Sequence, residues 1–168
     1  MSNVQNGRFA ATAGKSFVVF YIGMRINKWW AVHKWLPVFL AMVKMLKELY
    51  QHPELGFMGG EYCWNGRTIG LIQYWNSYEQ LETYAHGGYH LEAWKAFHRS
   101  IGSDGSVGIF HETYNIEPTK YEAIYANMPL FGLAKAIGQV PATGKYQSSR
   151  KRLTANLHGE KVEQESSE

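Results

Sequence analysis

The stretch from Gln73 to Tyr114, QYWNSYEQLETYAHGGYHLEAWKAFHRSIGSDGSVGIFHETY, decides the fold. Its first residues close a strand. Ser77, with Gln80 three residues on, has the form of a capping box, and Leu81, Tyr84 and Ala85 give the following helix its apolar side. Gly87-Gly88 interrupts that helix, and Leu91, Trp94, Phe97 and Ile101 resume its stripe. Gly102-Ser103-Asp104-Gly105 then turns the chain into a strand from Val107 to Ile116. Strand, two-part helix and strand make one βαβ half.

A second half lies upstream. Phe17 to Ile26 is β-branched and aromatic, and period-2 geometry puts Val18, Phe20, Ile22, Met24 and Ile26 on one face, with Tyr21 and Arg25 on the other. The even face predicts helix packing. From Val32 to Tyr50, Phe39, Met42, Val43, Leu46 and Leu49 recur at helical spacing. Pro37 suits a first turn, so the well-formed helix is expected to begin near it, and Pro53 is a stop signal. Trp29-Trp30 either staples the helix start or closes one end of a pocket. Phe57 to Trp64 and Arg67 to Trp75 flank Asn65-Gly66, the signature of a type I′ hairpin. The whole reads as α+β, a ferredoxin-like βαββαβ in which two helices cover one sheet face and the other face needs a cover.

Beyond Pro118, Tyr121 to Ile137 reads as an added C-terminal helical segment, redirected at Met128-Pro129, and too apolar to be a solvated linker. Residues 1–15 read as a flexible arm, 16–138 as the folded domain with its helical extension, and 139–168 as a disordered polar tail.

Hydrophobic residues make up 45% of the chain and aromatics 15%, the second figure high enough to require a buried destination. A formal charge of +3 without an aromatic-interleaved basic stripe argues against nucleic acid. The single cysteine, Cys63, excludes an intrachain disulfide and reads as a small packing group in a reducing compartment. A polar N-terminus and no apolar run beyond Trp35 to Val43 predict a cytoplasmic protein without a membrane span. No glycine-rich dinucleotide or phosphate loop is present.

YWNSYEQLETYA (residues 74–85), His90, Ala93-Trp94, Phe97 and VGIFHETY (107–114) resemble the antibiotic-biosynthesis-type monooxygenases of the dimeric α+β barrel superfamily. FVVFYIGMRI, HLEAWKAF, VGIFHETY and YEAIYANMPLFGL are similar to one branch of it, related to a monooxygenase of a fungal fumagillin-type pathway. The resemblance covers about residues 16–133. It implies a homodimer whose two sheets pack face to face, and a place in secondary metabolism. It also implies a small apolar or aromatic substrate, oxidised with dioxygen and no tightly bound organic cofactor. Other members of the superfamily bind haem in the same cavity, including aldoxime dehydratases and haem-degrading enzymes, so haem is the alternative cofactor. The fold is equally compatible with a non-catalytic binder of apolar ligands.

His111, late in the last strand, is the first catalytic candidate. Its imidazole is suited to removing a proton from an electron-rich phenol, to ligating haem iron, or to a structural hydrogen bond at the rim. Glu112 is the second candidate, but with Tyr114 it occupies the opposite strand face, and which face lines the cavity is not decided by the residues. On an otherwise apolar face Glu112 needs a partner, and Arg25 is the candidate. Tyr21, Arg25, Gln73, Trp75, His90 and Tyr114 are the expected substrate-binding residues. Trp94, on the helix stripe, reads first as core. His86 and His90 are four apart, but Gly87-Gly88 breaks the helical face a metal pair needs, so no metal site is expected.

Overall fold

The computed structural model describes residues 3–87, 91, 95, 97 and 104–155. The chain divides into two compact units, Val19–Tyr114 and a unit assembled from both ends, Met1–Val18 with Asn115–Glu168. In chain order the described elements are β1 (Gln5–Ala10), β2 (Phe17–Ile26), α1 (Val32–Gln51), β3 (Phe57–Asn65), β4 (Thr68–Trp75), α2 (Tyr78–His86) and β5 (Val107–Ile116). After these come β6 (Ile124–Met128), α3 (Gly132–Ile137), β7 (Val140–Pro141) and α4 (Ser149–Ala155).

The larger sheet has the order β3-β4-β2-β5. β3 and β4 pair antiparallel. The Ile26 N–H donates to the Arg67 carbonyl (2.8 Å) and the Asn27 N–H to the Ser106 carbonyl (3.0 Å), so the end of β2 meets the starts of β4 and β5. An antiparallel sheet in this order, with α1 between β2 and β3 and α2 between β4 and β5, is the ferredoxin-like βαββαβ arrangement expected.

The even residues of β2 face the helices, as their alternation predicts. Met24 and Ile26, with Val107 of β5, form a cluster packed by Trp35, Val38 and Phe39 of α1. Further along, Met42, Leu46 and Leu49 are the buried side of α1, and burying each such side chain contributes about 2 kcal/mol. The helix begins at Val32, a turn and more before Pro37. Pro37 and His33 are both exposed, so the carbonyl that the proline leaves unpaired lies on the water side. Trp35 donates its indole N–H to the Trp29 carbonyl (3.0 Å), and the two rings meet edge to face. Trp29 therefore staples the helix start.

The β3–β4 hairpin turns one residue later than expected. Asn65 pairs with Thr68, which leaves Gly66 and Arg67 as the loop. Gly66 takes φ 57°, whereas Asn65 keeps negative φ, so glycine supplies the left-handed residue at the first central position alone. The cap of α2 is as read: Ser77 Oγ accepts the Gln80 N–H at 3.3 Å. The helical piece expected across Leu91 to Ile101, with Trp94, lies largely outside the described residues.

The unit built from the chain ends departs from the sequence reading. Residues 5–10, expected in a mobile arm, form β1, which pairs antiparallel with β6 on one side and β7 on the other. Tyr121 to Ile137, expected as a helical segment redirected at Met128-Pro129, is instead an extended segment, the strand β6 and the short helix α3. Within the expected tail, β7, a 3-10 turn at Gly144–Tyr146 and α4 follow in turn. Ala10, Tyr146 and Ala155 make its core, backed by Val140. Arg152, 5% exposed, donates to the Glu122 carboxylate (2.6 Å) and to the carbonyls of Tyr146 (3.0 Å) and Gln147 (3.3 Å). A buried guanidinium with three acceptors lets this polar segment fold despite its composition. Among the described residues no helix is long and apolar enough to cross a membrane, which leaves membrane-crossing strands unaddressed.

Candidate functional site

Alternation along the strands and contacts across them assign each candidate to a face. Phe20 and Ile22 of β2 and Leu71 and Gln73 of β4 point to the helices, and with Leu46 of α1 and Leu81 and Tyr84 of α2 they line a recess of about 30 Å³. Its wall is apolar except at two groups, Gln73 and Tyr84. Gln73 is buried, and its Oε1 accepts the indole N–H of Trp75 at 2.9 Å. An indole nitrogen only donates, so the amide oxygen is the end held toward Trp75. The Tyr84 hydroxyl donates to the Glu48 carboxylate at 3.1 Å. Burial, and then the Glu48 charge, push this phenol well above the usual tyrosine range, so it remains a protonated donor.

Trp75 is fully buried, between Phe57 of β3 and Tyr84 of α2. It and Tyr21 were both expected to bind substrate, but they do not share a face, because residue 75 is in phase with Leu71 and Gln73 and so faces the helices, while Tyr21 is on the other side. Trp75 supports the site by holding Gln73.

His111 also lies on the helix-covered side, in phase with Val107 and Ile109. Its ring meets that of Phe20 at 5.6 Å, and it is exposed. Glu112 and Tyr114, out of phase with His111, are on the other strand face.

On the opposite, open face, Tyr21 and Phe110 meet edge to face at 4.9 Å. Each ring lies over a glycine. A Cβ at Gly70 would fall 2.6 Å from the Tyr21 ring, and one at Gly23 would fall 2.8 Å from the Phe110 ring and 2.6 Å from the Ile69 carbonyl oxygen. Glycine inside these strands gives the rings their seats. The candidate residues Arg25, Glu112 and Tyr114 lie on this face, all exposed. The expected Arg25–Glu112 pair is not formed. Arg25 reaches Thr68 Oγ1 at 3.4 Å, and Glu112 instead accepts the Tyr114 hydroxyl, a bond that raises the phenol's pKa. Cys63, half-buried, is paired with Gly70 in the hairpin.

The structure thus brings Gln73, Trp75 and, two strands away, His111 to the helix-covered face, and Tyr21, Arg25, Glu112 and Tyr114 to the open one. His90 and His98 lie outside the described residues, and His86 is exposed at the end of α2. Among the described residues no three potential metal ligands gather. Sequence reasoning missed Tyr84 and Glu48 as a polar pair at the recess. It also missed Gly23 and Gly70, whose position inside strands was the available signal.

Comparison with known proteins agrees with this architecture. The chain is 29% identical over 134 residues to monooxygenase af470 of Aspergillus fumigatus, across 73% of this chain and 47% of that protein. It therefore spans about half the length of that relative. A crystal structure of aldoxime dehydratase (OxdRE) in complex with butyraldoxime superposes with a TM-score of 0.64 at 17% identity, covering 74% of this chain and 38% of that one. Another aldoxime dehydratase gives 0.63 at 16%, covering 75% and 39%. At such identity the likeness is one of fold. The monooxygenase af470-like family matches residues 17–133, from the first residue of β2 into α3, and the chain belongs to that family.

Proposed function

We propose that this protein is a monooxygenase-type oxidoreductase that oxidises a small apolar or aromatic molecule with dioxygen at the helix-covered face of its sheet. The observation that carries the reading is the Gln73 amide, buried in an otherwise apolar wall and bonded by the Trp75 indole. Family membership supports the reaction class. A recess of about 30 Å³ admits dioxygen or one water. The organic substrate therefore lies at its mouth or spreads the wall that α2 supplies, with a carbonyl or phenolate oxygen accepting from Gln73.

The chemistry needs no external reductant if the substrate carries a methylene made acidic by a neighbouring phenol or enol. A base removes a proton, and the resulting carbanion reduces dioxygen. The methylene becomes a carbonyl that keeps one oxygen atom, and the other leaves as water. His111 is the proposed base, since it shares this face, adjoins Phe20 of the recess wall and is open to solvent for proton exchange. Glu112 is not the substitute, because it lies on the other face.

A haem enzyme of the same fold is the second reading. The described residues do not fit it: they put no histidine on the recess wall. A homodimer is proposed through the open face, where the Tyr21 and Phe110 rings lie close over Gly70 and Gly23.

Oxygen uptake with a panel of polycyclic phenols tests the reaction. His111→Ala should lower turnover by about 10²–10⁴-fold with the fold intact. Full turnover by that variant would move the base elsewhere, absence of uptake across the panel would favour a non-catalytic binder, and a Soret band would favour haem.

A further inference from the structure

The helix α1 carries two apolar stripes, and the fold uses one. Met42, Leu46 and Leu49 face the sheet. Val32, Leu36, Leu40 and Val43 recur four, four and three residues apart on a neighbouring arc, and they are 45%, 37%, 55% and 40% exposed. Trp30 stands at the head of this second stripe, 79% exposed. The hairpin adds to it. Tyr62 pairs with Leu71 and Trp64 with Ile69, so both project from edge strand β3 on the helix side, where Trp64 is 74% exposed.

Along α1 itself the charge is mostly positive. Between Asn27 and Gln51 the chain has Lys28, Lys34, Lys44 and Lys47 against the single acid Glu48, which is engaged by Tyr84. Lys34 is paired with Asp104. Lys47 continues the spacing of the second stripe, and Lys44 lies beside it; both are exposed. An exposed apolar stripe ending in tryptophan and edged by lysines is the composition of a helix that lies in a membrane interface.

We propose that this flank of α1 docks the protein on an anionic lipid bilayer. Trp30 and the stripe from Val32 to Val43 enter the headgroup boundary, and Lys44 and Lys47 meet lipid phosphates. Charge selects this occupant over a second copy of the chain, because a two-fold contact through the same surface would face these lysines with their equivalents. The docking is independent of the reaction proposed above.

Co-sedimentation of the full chain with vesicles tests it, comparing equal parts phosphatidylcholine and phosphatidylglycerol with phosphatidylcholine alone. Wild type should pellet with the anionic vesicles and its tryptophan emission should shift to the blue. Leu40→Glu and Trp30→Ser, both at exposed positions, should each lower partitioning by about tenfold or more without altering circular dichroism. Replacing Lys44 and Lys47 with glutamine should lower binding to anionic vesicles by about fivefold per lysine. The proposal is overturned if wild type stays in the supernatant or if Leu40→Glu binds as wild type does. It is equally overturned if Leu40→Glu converts a larger sedimenting species to a smaller one without vesicles, which would give the surface to a second copy.

Discussion

Trp75 donates its indole N–H to Gln73 Oε1 over 2.9 Å, two residues back on the same face of β4. Strand alternation places both on the helix side, and the bond ties the orientation of the amide to the packing of the indole. The strength of that tie is measurable by double mutation.

Trp75→Phe keeps most of the ring packing and removes the donor, so the Gln73 amide becomes free to rotate. Gln73→Leu leaves the buried indole N–H without a partner. Each variant should lose about 1–3 kcal/mol of stability. The double variant should lose less than the sum, because neither orphan remains, and the coupling in a denaturant-unfolding cycle should be about 1 kcal/mol. Strict additivity would show that the bond has no energetic role.

The two glycines of the open face should respond differently. At Gly23 a Cβ meets the Ile69 carbonyl oxygen at 2.6 Å, a backbone atom fixed by the sheet. Gly23→Ala should cost about 2 kcal/mol or more. At Gly70 the obstacle is the Tyr21 ring, which can swing outward. Gly70→Ala should cost less in thermal unfolding, and if the open face is the dimer interface it should weaken self-association in sedimentation velocity. Equal losses of stability at both sites would contradict the distinction between backbone and ring.

Arg152 should act as the latch of the unit built from the chain ends. Arg152→Ala removes the partner of Glu122 and the donors to two carbonyls, and should cost about 2 kcal/mol. It should open residues 144–155 to limited proteolysis. The Arg152 guanidinium holds the Glu122 carboxyl below its ordinary pKa. Its contribution is therefore complete above the unfolded carboxylate pKa of about 4.3 and is lost as pH falls through the lower, folded value. Proteolysis at residues 144–155 should rise across that acid window in wild type and be insensitive to it in Arg152→Ala. The same acid dependence in the variant would refute the assignment.

The sheet was legible because each of its strands has a face that must be apolar. Val107 to Ile116 and Phe17 to Ile26 have the bounds read from their residues, and Ser77 and Gln80 form the cap their spacing announces. The unit from the chain ends was not legible. β1 reads QNGRFA, too polar to declare itself, and its partners lie more than a hundred residues away at Tyr125 and Ala126. A strand whose pairing is that distant leaves little local trace. The Arg152 latch is hidden for a similar reason, since a buried arginine is indistinguishable in sequence from a solvated one until its acceptors arrive. At the candidate site, alternation correctly separated His111 from Glu112, but it could not say which face the helices cover.

The bulge near the start of β3 has a consequence for how this hairpin can change length. Phe57 pairs with Trp75, yet Gly59 pairs with Tyr74 and Gly60 with Gln73, so one extra residue is absorbed between Phe57 and Gly59. Phe57 and Gly60, an odd number of residues apart, therefore both stand opposite helix-facing partners. Elsewhere in the pair no such slack exists: a single inserted residue within β4 would turn Leu71, Gln73 and Trp75 outward and carry Gly70 away from the Tyr21 ring. Homologues of this hairpin should accept or lose residues inside the strands in twos, with odd changes confined to the bulge and to the Gly66-Arg67 turn.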